Sequence, residues 1–146
     1  MKTNELMLGN YVIYNNNTFQ VTDISRAWPR VDMRYNNKPT VTIFNGGILT
    51  VGLDELIPVQ LIEEFLKWNG FELDEKMYED FEEKYYELKL EKFTITIHEG
   101  SNTIGRDWWI HIDNEDSCTI ASADIQYVHQ LQNLLNICDI ELNIIV

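Results

Sequence analysis

From Tyr85 onward the chain alternates apolar and polar residues with a period of two, in the segments "YYELKL", "FTITIH", "WWIHID" and "CTIAS". That period places one set of side chains on each face of an extended strand, so these segments form an antiparallel sheet with one covered and one open face. The strands are expected over about 85–122, with a tight turn at Glu91-Lys92 and a longer one in "EGSNTIGRD".

The first fifty-odd residues are also β-rich, but in shorter pieces. "YVIY", the polar turn "NNNT", "FQVTDI", "TVTIF" and "ILTVG" follow one another closely. Asn45-Gly46-Gly47 between two β-branched runs is a strong hairpin signal, because asparagine and glycine accept the positive φ angles of tight turns. Short strands at this spacing point to a small antiparallel SH3-like β-barrel over residues 1–57.

At "LDELIP" the pattern changes, and residues 58–146 read as an α+β subdomain. A helix is expected at about 59–69, with Leu61, Ile62, Phe65 and Leu66 on one face and Gly70 as the left-handed residue that closes it. A second helix is expected at about 125–138, with Val128, Leu131, Leu135 and Cys138 in one stripe and Asp124 as its N-cap. "IELNIIV" is β-rich and suggests a terminal strand. The fold class is therefore α+β: the small barrel, then an antiparallel sheet packed with one or two helices.

Three segments, "LMLGNYV" at 6–12, "LDELIPVQLIEEFLKWNGF" at 53–71 and "YVHQLQNLL" at 127–135, carry a resemblance. Together they resemble a family of small, mostly uncharacterised proteins encoded by phages, prophages and mobile elements of gut anaerobes. The resemblance implies a setting in a mobile genetic element, and no reaction, cofactor or catalytic residue.

Charge is divided unevenly. Of a formal net charge of −13, residues 1–52 hold +2 (five bases, three acids) and the remaining 94 residues hold −15 (six bases, 21 acids). A polyanion gains affinity from lysines and arginines that displace its counterions, so the second part repels nucleic acid. The exception is "SRAWPRVDMRYNNKP" at 25–39, where Arg26, Trp28, Arg30 and Arg34 fall on one side of an extended segment. Such a stripe suits a partner's carboxylates, the chain's own acids, or stacked bases. Binding to a protein partner is the expectation; nucleic acid is disfavoured by the net charge. Residues 72–91 carry nine acids and three lysines, and 72–84 among them read as a helix or a charged loop. Within them Glu79, Asp80, Glu82 and Glu83 form a second candidate surface, a solvated face or an imitation of a phosphate backbone.

Signals for catalysis are weak. There is no phosphate-cradling glycine loop and no G-x-S-x-G turn, and neither Cys118 nor Cys138 has a basic neighbourhood; both thiols are expected to be buried or half-buried. Thr94, Thr96 and His98 share one strand face, as do Trp109, His111 and Asp113. If the two strands pair, His98, His111 and Asp113 approach one another, the minor reading being a hydrolase or metal enzyme. His129 reads as a structural or capping residue. No cofactor is implied. No run of 18 apolar residues and no secretory signal is present, so a soluble cytoplasmic protein is expected, with no membrane partner. The leading expectation is a non-enzymatic accessory protein that binds another macromolecule.

Overall fold

A computed structural model of the chain describes residues 5–25, 39–77, 82–99 and 108–146, with backbone alone at 25, 75–77 and 82–83. It is α+β, with two antiparallel five-stranded sheets and two short helices among the described residues. Two compact units result, one formed by residues 1–60, 127–133 and 146, the other by 61–126 and 134–145.

In the first unit the strands are β1 (Tyr11–Tyr14), β2 (Asn17–Ser25), β3 (Thr40–Phe44), β4 (Ile48–Gly52) and β5 (Ile57–Pro58). β1 and β2 are joined by Asn15 and Asn16, both at positive φ (46° and 62°), which gives the turn the twist that a two-residue hairpin needs. The expected hairpin at Asn45-Gly46-Gly47 joins β3 to β4, with Gly46 at φ 70°. A 3₁₀ turn over Leu53–Glu55 follows, in which the Gly52 N–H donates to Glu55 Oε2 at 2.7 Å, and β5 then pairs with β1. The order is β4-β3-β2-β1-β5. Among the described residues no β4–β5 pairing closes this sheet, so the described strands show an antiparallel sheet, and closure into the expected barrel is not shown. Val12, Val21, Val41, Ile43, Val51 and Leu56 form its core.

Residues 127–133 add a polar latch to this unit. Gln132 Oε1 accepts from the Tyr11 N–H at 3.0 Å and its Nε2 donates to the Gly9 carbonyl at 3.2 Å. Asn133 Nδ2 donates to the Glu5 carbonyl at 2.8 Å, while its Oδ1 accepts from Asn10 Nδ2 at 2.9 Å. Asn10 is buried, and its own Oδ1 accepts from the Met7 N–H. These four bonds satisfy strand-entry groups that no ladder reaches.

The second unit is a meander of β6 (Glu72–Met77), β7 (Glu82–Lys89), β8 (Phe93–Glu99), β9 (Trp108–Asn114) and β10 (Thr119–Ile125), in the order β10-β9-β8-β7-β6. Tyr86, Ile95, Ile97, Trp108, Ile110 and Ile112 form its buried face. Helix α1 (Glu63–Trp68) belongs to that face: Trp108 Nε1 donates to the Leu61 carbonyl at 2.9 Å, and Phe65 and Leu66 are buried. α1 is shorter than expected because Ile62 has extended backbone and is exposed. It closes at Gly70 (φ 82°), with Phe71 N–H donating to Leu66 O and Gly70 N–H to Lys67 O.

Four expectations are corrected here. Residues 72–77 form strand β6, neither helix nor loop, paired with β7 in unbroken register from Glu72 opposite Glu87 to Met77 opposite Glu82. Asp124 lies in β10 opposite Trp109; helix α2 (Val128–Ile137) starts later, where Gln130 Oε1 accepts from the Tyr127 N–H at 3.1 Å as half of a capping box. The terminal residues 140–146 are not a strand: Asn69 holds them with its side chain, Nδ2 donating to Ile145 O and Oδ1 accepting from Ile145 N–H. Cys118 is exposed, in the turn between β9 and β10, whereas Cys138 is half-buried, and both are free thiols.

Candidate functional site: the open face of the second sheet

The side of the second sheet opposite its core is polar and ringed with aromatic and imidazole groups. Register builds it in rows. Tyr85 pairs with His98 and His98 with Trp109; Glu87 pairs with Thr96 and Thr96 with His111; Thr94 pairs with Asp113. The expectation that His98, His111 and Asp113 share one face therefore corresponds to what the strands do. His98 sits at the centre of the rings, with centroids 5.5 Å from Tyr85, 5.2 Å from Trp109 and 5.2 Å from His111, the last nearly parallel at 29°. Trp109 and His111 are 5.0 Å apart. Trp109 is 44% exposed, on a strand that is paired on both sides.

Beside the rings lies a concavity of about 350 Å³, lined by Tyr85, Glu87, Thr94, Thr96, His98, His111, Asp113, Asn114 and Ser117. Its cause is side-chain size. Thr94 and Thr96 on the central strand β8 are short and make the floor, while longer side chains on β7 and β9 rise on either side. The Asn114 side chain shapes one end by accepting from the N–H groups of Asp116 and Cys118, which fixes the β9–β10 turn with Ser117 at φ 58°.

Carboxylates dominate the charge of this face. Asp74 accepts from the Tyr85 hydroxyl at 2.5 Å, and Asp113 Oδ1 from the Thr119 hydroxyl at 2.6 Å. Glu72, Glu87 and Asp124 stand in the same rows. The one cation on these rows among the described side chains is Lys89, at the rim, 2.7 Å from Glu87; that neighbour raises its pKa further. His111 Nε2 is 3.6 Å from Asp113 Oδ2, too long for a hydrogen bond, and His111 Nδ1 is buried without a partner among the described residues. No three His, Cys, Asp or Glu among the described residues converge as metal ligands.

Other candidates fall elsewhere. Arg26, Trp28, Arg30 and Arg34 lie outside the described residues, as do Glu79 and Asp80; Glu82 and Glu83 lie in β7, with only their backbone described. His129 is buried at 1% exposure in the first unit, stacked on Tyr127 (5.6 Å, 10°), and both of its ring nitrogens lack a partner among the described residues, so there it packs and does not cap. Tyr85 and Glu87 are the site residues that alternation alone does not single out; the turn at Glu91-Lys92 is the signal that fixes their register to His98 and Thr96. No family model matches the chain, and neither a curated protein nor a solved structure matches it. Among the described residues no helix is long and apolar enough to cross a membrane.

Proposed function

We propose that the protein acts without catalysis, by binding another protein through the open face of its second sheet. The observation that carries this reading is the connected set of rings Tyr85, His98, Trp109 and His111 on the side of the sheet that no described element covers, the other side being core. Trp109, 44% exposed beside the buried Tyr85 and the half-buried imidazoles, is the kind of aromatic that anchors protein interfaces, since burying it on contact releases water from a large apolar area. Catalysis by His98, His111 and Asp113 is less well supported, because Asp113 makes its short bond to Thr119 and stands off from His111. In the first unit, the strand order and the 3₁₀ turn before β5 support reading it as an SH3-like barrel, a scaffold that suits an accessory role but does not define one. We place this role in the cytoplasm, within a phage or mobile-element setting.

The test is affinity capture from host lysate with wild-type, Trp109→Ala and Trp68→Ala baits. Trp68 is 65% exposed on α1 and serves as the control indole. Loss of a captured protein with Trp109→Ala alone supports the face as the contact. The same proteins on all three baits would refute it.

A further inference from the structure

We infer that the concavity on this face takes the guanidinium of an arginine presented by the partner, an inference that rests on the reading of the face as a protein-binding surface. Size comes first. About 350 Å³ matches one long side chain and is too small for a helix or a nucleic-acid strand. Neighbouring strands lie about 4.8 Å apart, so β7 and β9 are about 10 Å apart, and Glu87 in the Thr96 row and Asp113 in the Thr94 row stand diagonally across the threonine floor of β8. A planar cation seated over that floor has a carboxylate on each side.

Charge selects the sign of the occupant. Among the described residues the lining contains two carboxylates and no lysine or arginine, and Glu72, Asp74 and Asp124 add negative charge on the same rows. An anion is repelled, and a neutral ligand would desolvate the carboxylates with no charge to offset the cost. Lys89 pairs with Glu87, but its side chain is 75% exposed, and an exposed pair of this kind contributes little and yields to a better-held cation.

The walls then distinguish arginine from lysine. Against the paired imidazoles of His98 and His111, whose rings stack at 29° with centroids 5.2 Å apart, a flat, weakly hydrated guanidinium packs more readily than an ammonium. Around them the lining offers spread acceptors: the hydroxyls of Thr94, Thr96 and Ser117 and the carboxylates of Glu87 and Asp113. Five N–H donors in a fixed fork match that spread, whereas an ammonium gathers three donors at one strongly hydrated point.

Titration calorimetry tests this with blocked hexa-arginine, hexalysine and hexaglutamate peptides at about 150 mM salt, where long-range attraction is screened. The expected result is binding of hexa-arginine, about ten-fold weaker binding of hexalysine and none of hexaglutamate. Asp113→Asn is expected to weaken hexa-arginine about ten-fold, with Glu87→Gln as the second variant should Asp113→Asn melt early. Glu64→Gln, on α1 away from this face, is the charge-matched control and should stay within about two-fold. Equal affinity for the two cationic peptides, equal effects of Asp113→Asn and Glu64→Gln, or no binding would overturn the inference. If the peptides behave so while capture still depends on Trp109, the arginine pocket fails and the binding face stands; if capture is indifferent to Trp109, the reading beneath it fails.

Discussion

Asn133 and His129 sit within five residues of each other and show opposite ways of placing a polar group in a core. Asn133 spends both ends of its amide, one on the Glu5 carbonyl and one on the buried Asn10 side chain. Asn133→Ala strands the Asn10 amide without its acceptor, so urea unfolding is expected to show a loss of about 1–3 kcal/mol; a loss below about 0.5 kcal/mol would mean the latch is not formed in solution. His129 has no such partners among the described residues, and burial pushes its pKa below the usual imidazole value, with the nearby Glu5 charge pulling the other way. The unfolded chain therefore binds this proton more readily than the folded one. The stability linked to His129 is complete above about pH 6.5 and is lost as pH falls through the lower folded pKa. Against wild type, His129→Phe is expected to keep the stack on Tyr127 and flatten the fall in stability between about pH 7 and pH 5, by about 1.4 kcal/mol for each unit of depression. Parallel curves for the two proteins would contradict the assignment.

At the level of elements, the two helices end by the same device built from different residues. α1 closes through Gly70, and the sequence announces it. α2 closes with Asp139 at φ 56°, Ile140 N–H donating to Leu135 O and Asp139 N–H to Asn136 O. An aspartate there occupies the left-handed region and sets a negative charge against the helix C-terminus. Asp139→Gly is expected to raise stability by about 0.5–1 kcal/mol in thermal melts, and no change or a loss would contradict this account of the cap. The same contrast decides which elements can be read from the residues. Strands β8 and β9 are legible because isoleucines alternate with polar residues, and the β3–β4 hairpin because glycine marks the turn. β6 is not legible, since "ELDEKM" offers no apolar alternation and becomes a strand only through its register with β7. The end of the chain reads as strand by composition, yet the Asn69 side chain bonds the Ile145 backbone while Ile140 and Ile144 are buried.

For the molecule as a whole, the division of charge is plain from the residues, and it favours cationic partners for the second part. Composition does not reveal where on that part the charge becomes a site. Alternation brings His98, His111 and Asp113 to one face, while the concavity also needs the short Thr94 and Thr96 flanked by Glu87 and Tyr85, which depends on the β7–β8 register. The most direct test is a set of amide ¹H–¹⁵N spectra recorded as hexa-arginine is added. The account predicts shifts gathered on Tyr85, Glu87, Thr94, Thr96, His98, the Trp109 indole, His111 and Asp113. Shifts spread in proportion to acidic residues over α1 and the C-terminal segment, with these positions unmoved, would contradict it.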